Sequence, residues 1–226
     1  MAAGPVGGSF GESLDTLTDS AKIVSMSLTV GQQAKLDRIL DAAYACFVRT
    51  GIRKTTMDDI ATVAGMSRPA VYQYVRNKED AYRRLAARIL TGAMAQAHEA
   101  ASAGGTLAQR LDRILAVRLV VAQRLLRDSP YAAELIGETS RVAADLGRAF
   151  TDDMCNLLTF TIVTAADEAE LVLGPENARE IAELALALTR GLEVDLSDPD
   201  RPRERLRNGI ALLVAGLAAA ATPARA

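Results

Sequence analysis

The chain has 226 residues, half of them hydrophobic and only 4% aromatic, with a formal net charge of −2 and two cysteines. That composition suits an all-α protein of about two domains, and it excludes a disulfide-stapled scaffold, for which two distant cysteines are too few. A mild negative charge spread evenly would also argue against nucleic acid, but eleven Lys and Arg face six Asp and Glu between Gln32 and Arg88, whereas two face twelve between Thr151 and Asp200.

Residues 1–31 are rich in Gly, Ser and Thr, with Glu12, Asp15 and Asp19 against Lys22. They predict a mostly disordered extension without a signal-peptide core, and Met26 is an alternative start. A basic arm able to enter a minor groove is not among them. The next stretch, QQAKLDRILDAAYACFVRTG from Gln32, places Leu36, Ile39, Leu40, Ala43 and Phe47 on one helical stripe.

Two short helices follow, joined by a glycine. Thr56 offers an N-cap, with Asp59 three residues on to complete a capping box, and Ile60, Ala61 and Ala64 form a small inward face. Gly65 fits the left-handed turn, Ser67 caps again, and Pro69 occupies the first turn of the second helix, where a missing amide breaks no bond. Val71 and Val75 are spaced to pack inward, while Arg68, Ala70, Tyr72 and Gln73 project outward. Arginine can pair with guanine and glutamine with adenine, and a small Ala or Pro surface can meet a thymine methyl, so this face suits a major groove. Asn77 caps a third helix at Lys78, placing a cation beside free amides at the positive end of a helix dipole. For Tyr72 and Tyr74 plain packing is an equal alternative.

Taken together, TTMDDIATVAGMSRPAVYQYVRNKED and the helix before it resemble the DNA-binding domain of the TetR family of bacterial transcription regulators. The resemblance implies that Arg68, Pro69, Ala70, Tyr72, Gln73 and Tyr74 contact bases or phosphates, with the Ser67 cap beside them. It implies that Lys78 binds a phosphate, and that Thr55 and Thr56 touch the sugar-phosphate backbone. The implied layout is a helix-turn-helix domain over 32–77 and a helical ligand-binding and dimerisation domain over 78–222. The implied function is a cytoplasmic, ligand-responsive repressor that reads a pseudo-palindromic operator in double-stranded DNA as a homodimer. An activator of the same fold, or a helical ligand-binding dimer without DNA binding, is the alternative.

Beyond the head, turn signals at Gly104-Gly105, Ser129-Pro130, Gly174-Pro175 and 196–202 delimit long helices. They are expected over 77–103, 106–127, 139–173 (after a short turn of helix at 131–136), 176–192 and 203–221. The 106–127 helix is apolar on more than one face and should be central. The last two helices carry Ile181, Leu184, Leu188, Leu206, Ile210, Leu213, Val214 and Leu217, a stripe that the resemblance assigns to a four-helix dimer interface. It also implies an effector cavity among the central helix and its neighbours. Arg118 either faces that cavity or closes an internal ion pair, His98 is a ligand contact or a surface residue, and Thr159 is a weaker candidate. Cys46 and Cys155 read as reduced core thiols. No run approaches the roughly 18 apolar residues of a membrane helix. The single histidine lacks a glutamate three residues earlier, and no phosphate-cradling loop or Cys-His spacing is present. The expectation is therefore no enzyme, no metal and no cofactor.

Overall fold

The computed structural model describes residues 29–168, 175–193 and 201–220, and every regular element among them is an α-helix. The first, α1 (Val30–Lys54), starts two residues earlier than the apolar stripe predicts, because Thr29 and Gln32 close a capping box ahead of it. Gly51, at φ 76°, breaks its last turn. Then come α2 (Met57–Ala64), α3 (Arg68–Tyr72) and α4 (Lys78–Ser102). Leu36, Ile39, Leu40, Ala43 and Phe47 of α1 close a head core with Ile60, Ala61, Ala64, Val71, Val75 and the Tyr82 end of α4, whose ring meets Phe47 edge-on at 5.7 Å.

The body is built from the far end of α4 with α5 (Leu107–Asp128), α6 (Ala132–Val142), α7 (Ala144–Glu168), α8 (Pro175–Leu192) and α9 (Arg201–Ala220). As its all-round apolar sequence demands, α5 is central and touches α4, α6, α7, α8 and α9. Leu111, Ile114, Leu115 and Leu119 are buried there against Met154, Leu158 and Ile162 of α7. Three arginine–carboxylate pairs fasten α9, the end of α8 and α7 to α5: Arg203 to Asp112 at 2.6 Å, Arg118 to Glu193 at 2.7 Å and Arg110 to Glu168 at 3.7 Å. Cys46 and Cys155 are free and buried, and burial pushes both thiols up from their ordinary value.

Two expectations are corrected. The single helix expected over 139–173 is two, because the chain breaks at Ala143 without glycine or proline. Arg83 of α4 donates to the Val142 carbonyl at 2.8 Å and to Asp145 Oδ1 at 2.6 Å, so one guanidinium terminates α6 and anchors the first turn of α7. Its hydrogen bonds hold the Asp145 carboxyl down at about 2, against the upward push of partial burial. The terminal stripe is also divided. Leu206 and Ile210 are fully buried inside the chain's own core, and Ile181, Leu188, Leu213 and Val214 are partly buried against it. Leu217 is half-buried. Leu184 remains 57% exposed, and Leu212, which the stripe did not include, is 75% exposed. Helices α8 and α9 cross so closely that a Cβ on Gly209 would run into Leu188. Residues 1–28, expected as an extension, and 169–174 lie outside the described residues.

Candidate nucleic-acid interface

The presentation of α3 begins with backbone chemistry in α2. The Thr56 hydroxyl accepts from the Asp59 amide at 3.2 Å, while Asp59 Oδ2 accepts from the Thr56 amide at 2.8 Å and its hydroxyl at 2.7 Å. These bonds, the hydroxyl's first, hold the Asp59 carboxyl below the usual carboxylate range. Gly65 ends α2 in the left-handed region (φ 59°, ψ 40°), and the Met66 amide reaches back to the Ala61 carbonyl at 3.0 Å. The Gly65 carbonyl accepts from Arg38 at 3.1 Å, and a Cβ there would lie 2.7 Å from that guanidinium. Ser67 then caps α3 by accepting from the Ala70 amide at 3.4 Å.

With Val71 and Val75 sealed in the core, the opposite face of α3 is fixed outward. Arg68, Pro69, Tyr72 and Gln73 are exposed, as are Thr56 and Ser67, and Ala70 is half-exposed. Arg68 does not hang free. Its Nη1 donates to Asp58 Oδ2 at 3.0 Å and its Nη2 to the Tyr72 hydroxyl at 3.4 Å, and its guanidinium carbon sits 5.5 Å from the centre of the Tyr72 ring. Tyr74 is half-buried against the head core, so packing claims part of it.

Two residues sit differently from the expectation. Thr55 is buried, and its hydroxyl donates to the Gly51 carbonyl at 2.7 Å, sealing the kinked end of α1 rather than facing outward. The Lys78 ammonium donates to the carbonyls of Arg53 at 2.9 Å and Thr55 at 3.3 Å. It therefore caps the carbonyl end of α1 instead of standing beside open amides. At the start of α4, Asn77 takes the Asp80 amide at 2.8 Å and Asp80 takes the Arg76 amide at 2.9 Å. Burial pushes the Asp80 carboxyl up, but that amide with Arg84 and Arg76 outweighs it and holds the group low.

The head is tied to the body through α6 and the turn before it. Ser129 donates to the Val48 carbonyl at 2.9 Å, Tyr82 donates to the Leu135 carbonyl at 2.7 Å, and Arg141 pairs with Glu79 at 2.8 Å. Glu134 accepts the backbone amide of Arg53 at 2.7 Å. A Cβ on Gly51 would come within 2.9 Å of the same carboxylate and 3.1 Å of the Tyr131 ring, so only glycine admits α6 this close. No motif pointed to these contacts, whose partners lie 53 to 81 residues apart.

The three candidate effector residues do not converge. His98 is exposed on α4, Arg118 is closed onto Glu193 with Thr151 at 3.4 Å, and Thr159 donates to the Cys155 carbonyl of its own helix at 2.8 Å. An open groove of about 400 Å³ lies on α7 and α8, lined by Ala143, Ala144, Gly147, Arg148, Asp152, Arg190 and the same Thr151 that Arg118 reaches. Among the described residues no cluster of His, Cys, Asp and Glu could hold a metal ion, and no helix is long and apolar enough to cross a membrane.

Residues 39–85 match the model of the "Bacterial regulatory proteins, tetR family". The chain is 27% identical over 125 residues to the "Probable HTH-type transcriptional regulator ArpR" of Pseudomonas putida, a match spanning 53% of each chain. The fold is shared with a transcriptional regulator from Rhodococcus sp. Rha1 (TM-score 0.61, 20% identity, 80% of this chain and 96% of that one). It is also shared with the fatty acid degradation regulator FadR of Bacillus halodurans (TM-score 0.61, 14% identity, 78% and 94%). A third neighbour is SmeT, solved as a complex with triclosan (TM-score 0.57, 22% identity, 82% and 91%).

Proposed function

We propose that this chain, whose residues 39–85 match the TetR family model, is a ligand-responsive repressor of that family that binds a pseudo-palindromic operator as a homodimer. The observation that carries the reading is the outward face of α3. Arg68, Pro69, Ala70 and Tyr72 on the helix and Gln73 at its C-cap stand exposed or half-exposed, while Val71 and, just past the helix, Val75 lock the other side. One arginine and one glutamine supply two of the side-chain types that read guanine and adenine edges, and tyrosine hydroxyls and the amides near the Ser67 cap suit phosphates.

One helix of this length makes too few contacts for selective binding, so two heads are required, about one DNA turn apart. The exposed Leu184 on α8 and Leu212 on α9 support a second copy as the pairing partner, since isolated solvent-facing leucines on adjacent terminal helices gain by mutual burial. The effector response rests on the ties between head and body. A small molecule that shifts α6 or the α6–α7 break would act on the Glu134–Arg53 and Arg83–Asp145 contacts and so change the spacing of the heads. That SmeT was solved with triclosan supports a small-molecule effector for a body of this fold. The protein is a cytoplasmic binder without catalysis in this reading.

The test is selection from a random duplex library with the full-length protein, followed by anisotropy titration and sedimentation. The expected result is an inverted repeat bound by two chains. A selection that enriches no sequence would reject operator binding.

A further inference from the structure

Resting on the reading of Arg68 as a base contact, we infer that Asp58 is the positioning residue that sets its base preference. Asp58 lies in the first turn of α2 and Arg68 in the first turn of α3, ten residues later, and the glycine turn between the helices brings them together. Asp58 takes Nη1 at 3.0 Å, Tyr72 takes Nη2 at 3.4 Å, and the Tyr72 ring stands 5.5 Å from the guanidinium carbon. A guanidinium carries five donors in one rigid plane. These contacts use one donor on each terminal nitrogen and orient the plane, leaving the Nε edge and the other hydrogens for a base. The Tyr72 hydroxyl accepts from Arg68, so its own hydrogen stays available to a phosphate.

A carboxylate 64% exposed on a surface that meets phosphates is repelled by them. The usual reason for one there, complementing the helix dipole, is already served by Asp59, which also closes the capping box with Thr56. Asp58 faces Arg68 instead. Without it, Arg68 would be free to swing to the nearest phosphate, a contact that adds affinity and carries no sequence information. The pair is weak in water and strengthens as DNA excludes solvent around it. Asp58 thus holds down binding to any duplex and keeps Arg68 at a base edge.

The experiment compares full-length wild type, Asp58→Ala and Asp58→Asn by anisotropy over a range of salt. The duplexes are the selected sequence, its single-base variants and a random sequence. Alanine removes both charge and acceptor, while asparagine keeps an acceptor within reach of Nη1, and melting curves confirm folding. Asp58→Ala is expected to lose about tenfold of its preference at one base pair per half-site. It should also bind random duplex more tightly, with a steeper salt dependence from the added phosphate contact. Asp58→Asn is expected to keep the preference to within about threefold while binding every duplex more tightly. An unchanged base preference in Asp58→Ala, or an equal loss of affinity on all duplexes, overturns the role. Arg68→Ala separates the two levels. If it relaxes the preference where Asp58→Ala does not, the positioning role fails and base reading stands; if it leaves the preference intact, base reading fails as well.

Discussion

Head and body spend their polar groups differently. In the head, short-range bonds within three residues fix each helix start at Thr29, Thr56, Ser67 and Asn77, so the angle of α3 is set by backbone geometry. In the body, guanidiniums reach 33 to 91 residues along the chain to fasten one helix to another, as Arg118 and Arg203 do. The recognition helix is therefore oriented largely by caps within the head, whereas the body's helices, packed on a shared apolar core, are further tied to one another by long-range ion pairs. A reading head must be stiff to discriminate bases, and a transmitting body must have joints that can be biased.

The contrast is most strongly tested at Gly65. Gly65→Val meets both a positive φ and the Arg38 guanidinium, so DNA binding is expected to fall at least a hundredfold while the body's oligomeric state persists. Anisotropy and sedimentation on the same sample check this, and normal binding would show that the turn tolerates a Cβ. The second test strikes the body alone. Leu184→Glu with Leu212→Glu should convert dimer to monomer at micromolar concentration and leave the chain's far-UV helix signal unchanged. A persistent dimer would place the interface elsewhere.

A smaller effect is expected from Lys78→Ala, which removes the donor to two α1 carbonyls. The loss is about 1 kcal/mol of stability, together with weaker binding to every duplex and a shallower salt slope. Thermal melts that match wild type would deny the capping role. The smallest is Asp145→Asn. The folded carboxyl titrates near 2, below its unfolded value near 3.9, so the Arg83 pair contributes fully above the unfolded value and is lost as pH falls towards 2. Both groups are well exposed, so the difference at neutral pH should be under about 1 kcal/mol, screened by salt and gone by about pH 2. Melting temperatures of the two proteins across that range decide it.

Most of the head was legible in the sequence because its determinants are local: a Thr, Ser or Asn cap, a glycine, and apolar residues at helical spacing. Its errors came from partners far along the chain. Nothing near Lys78 shows that its ammonium will reach Arg53 and Thr55, nor does anything near Thr55 show that its hydroxyl will be sealed under Gly51. Asp58 was missed because an acid in a first turn already has a helix-dipole explanation. In the body, periodicity located the helices but not the division of their faces. Leu206 and Leu184 look alike in sequence, and only the crossing of α8 and α9 at Gly209 decides which turns inward. The break at Ala143 has no local signal, since it is imposed by Arg83 from another helix.

The tie between Glu134 and Arg53 runs through the amide of residue 53, while the Arg53 side chain stays in solvent. Any residue except proline can supply that hydrogen. Position 53 can therefore change its charge or shape while the mechanical link to the body is inherited intact, because the link is written in the backbone and not in the side chain.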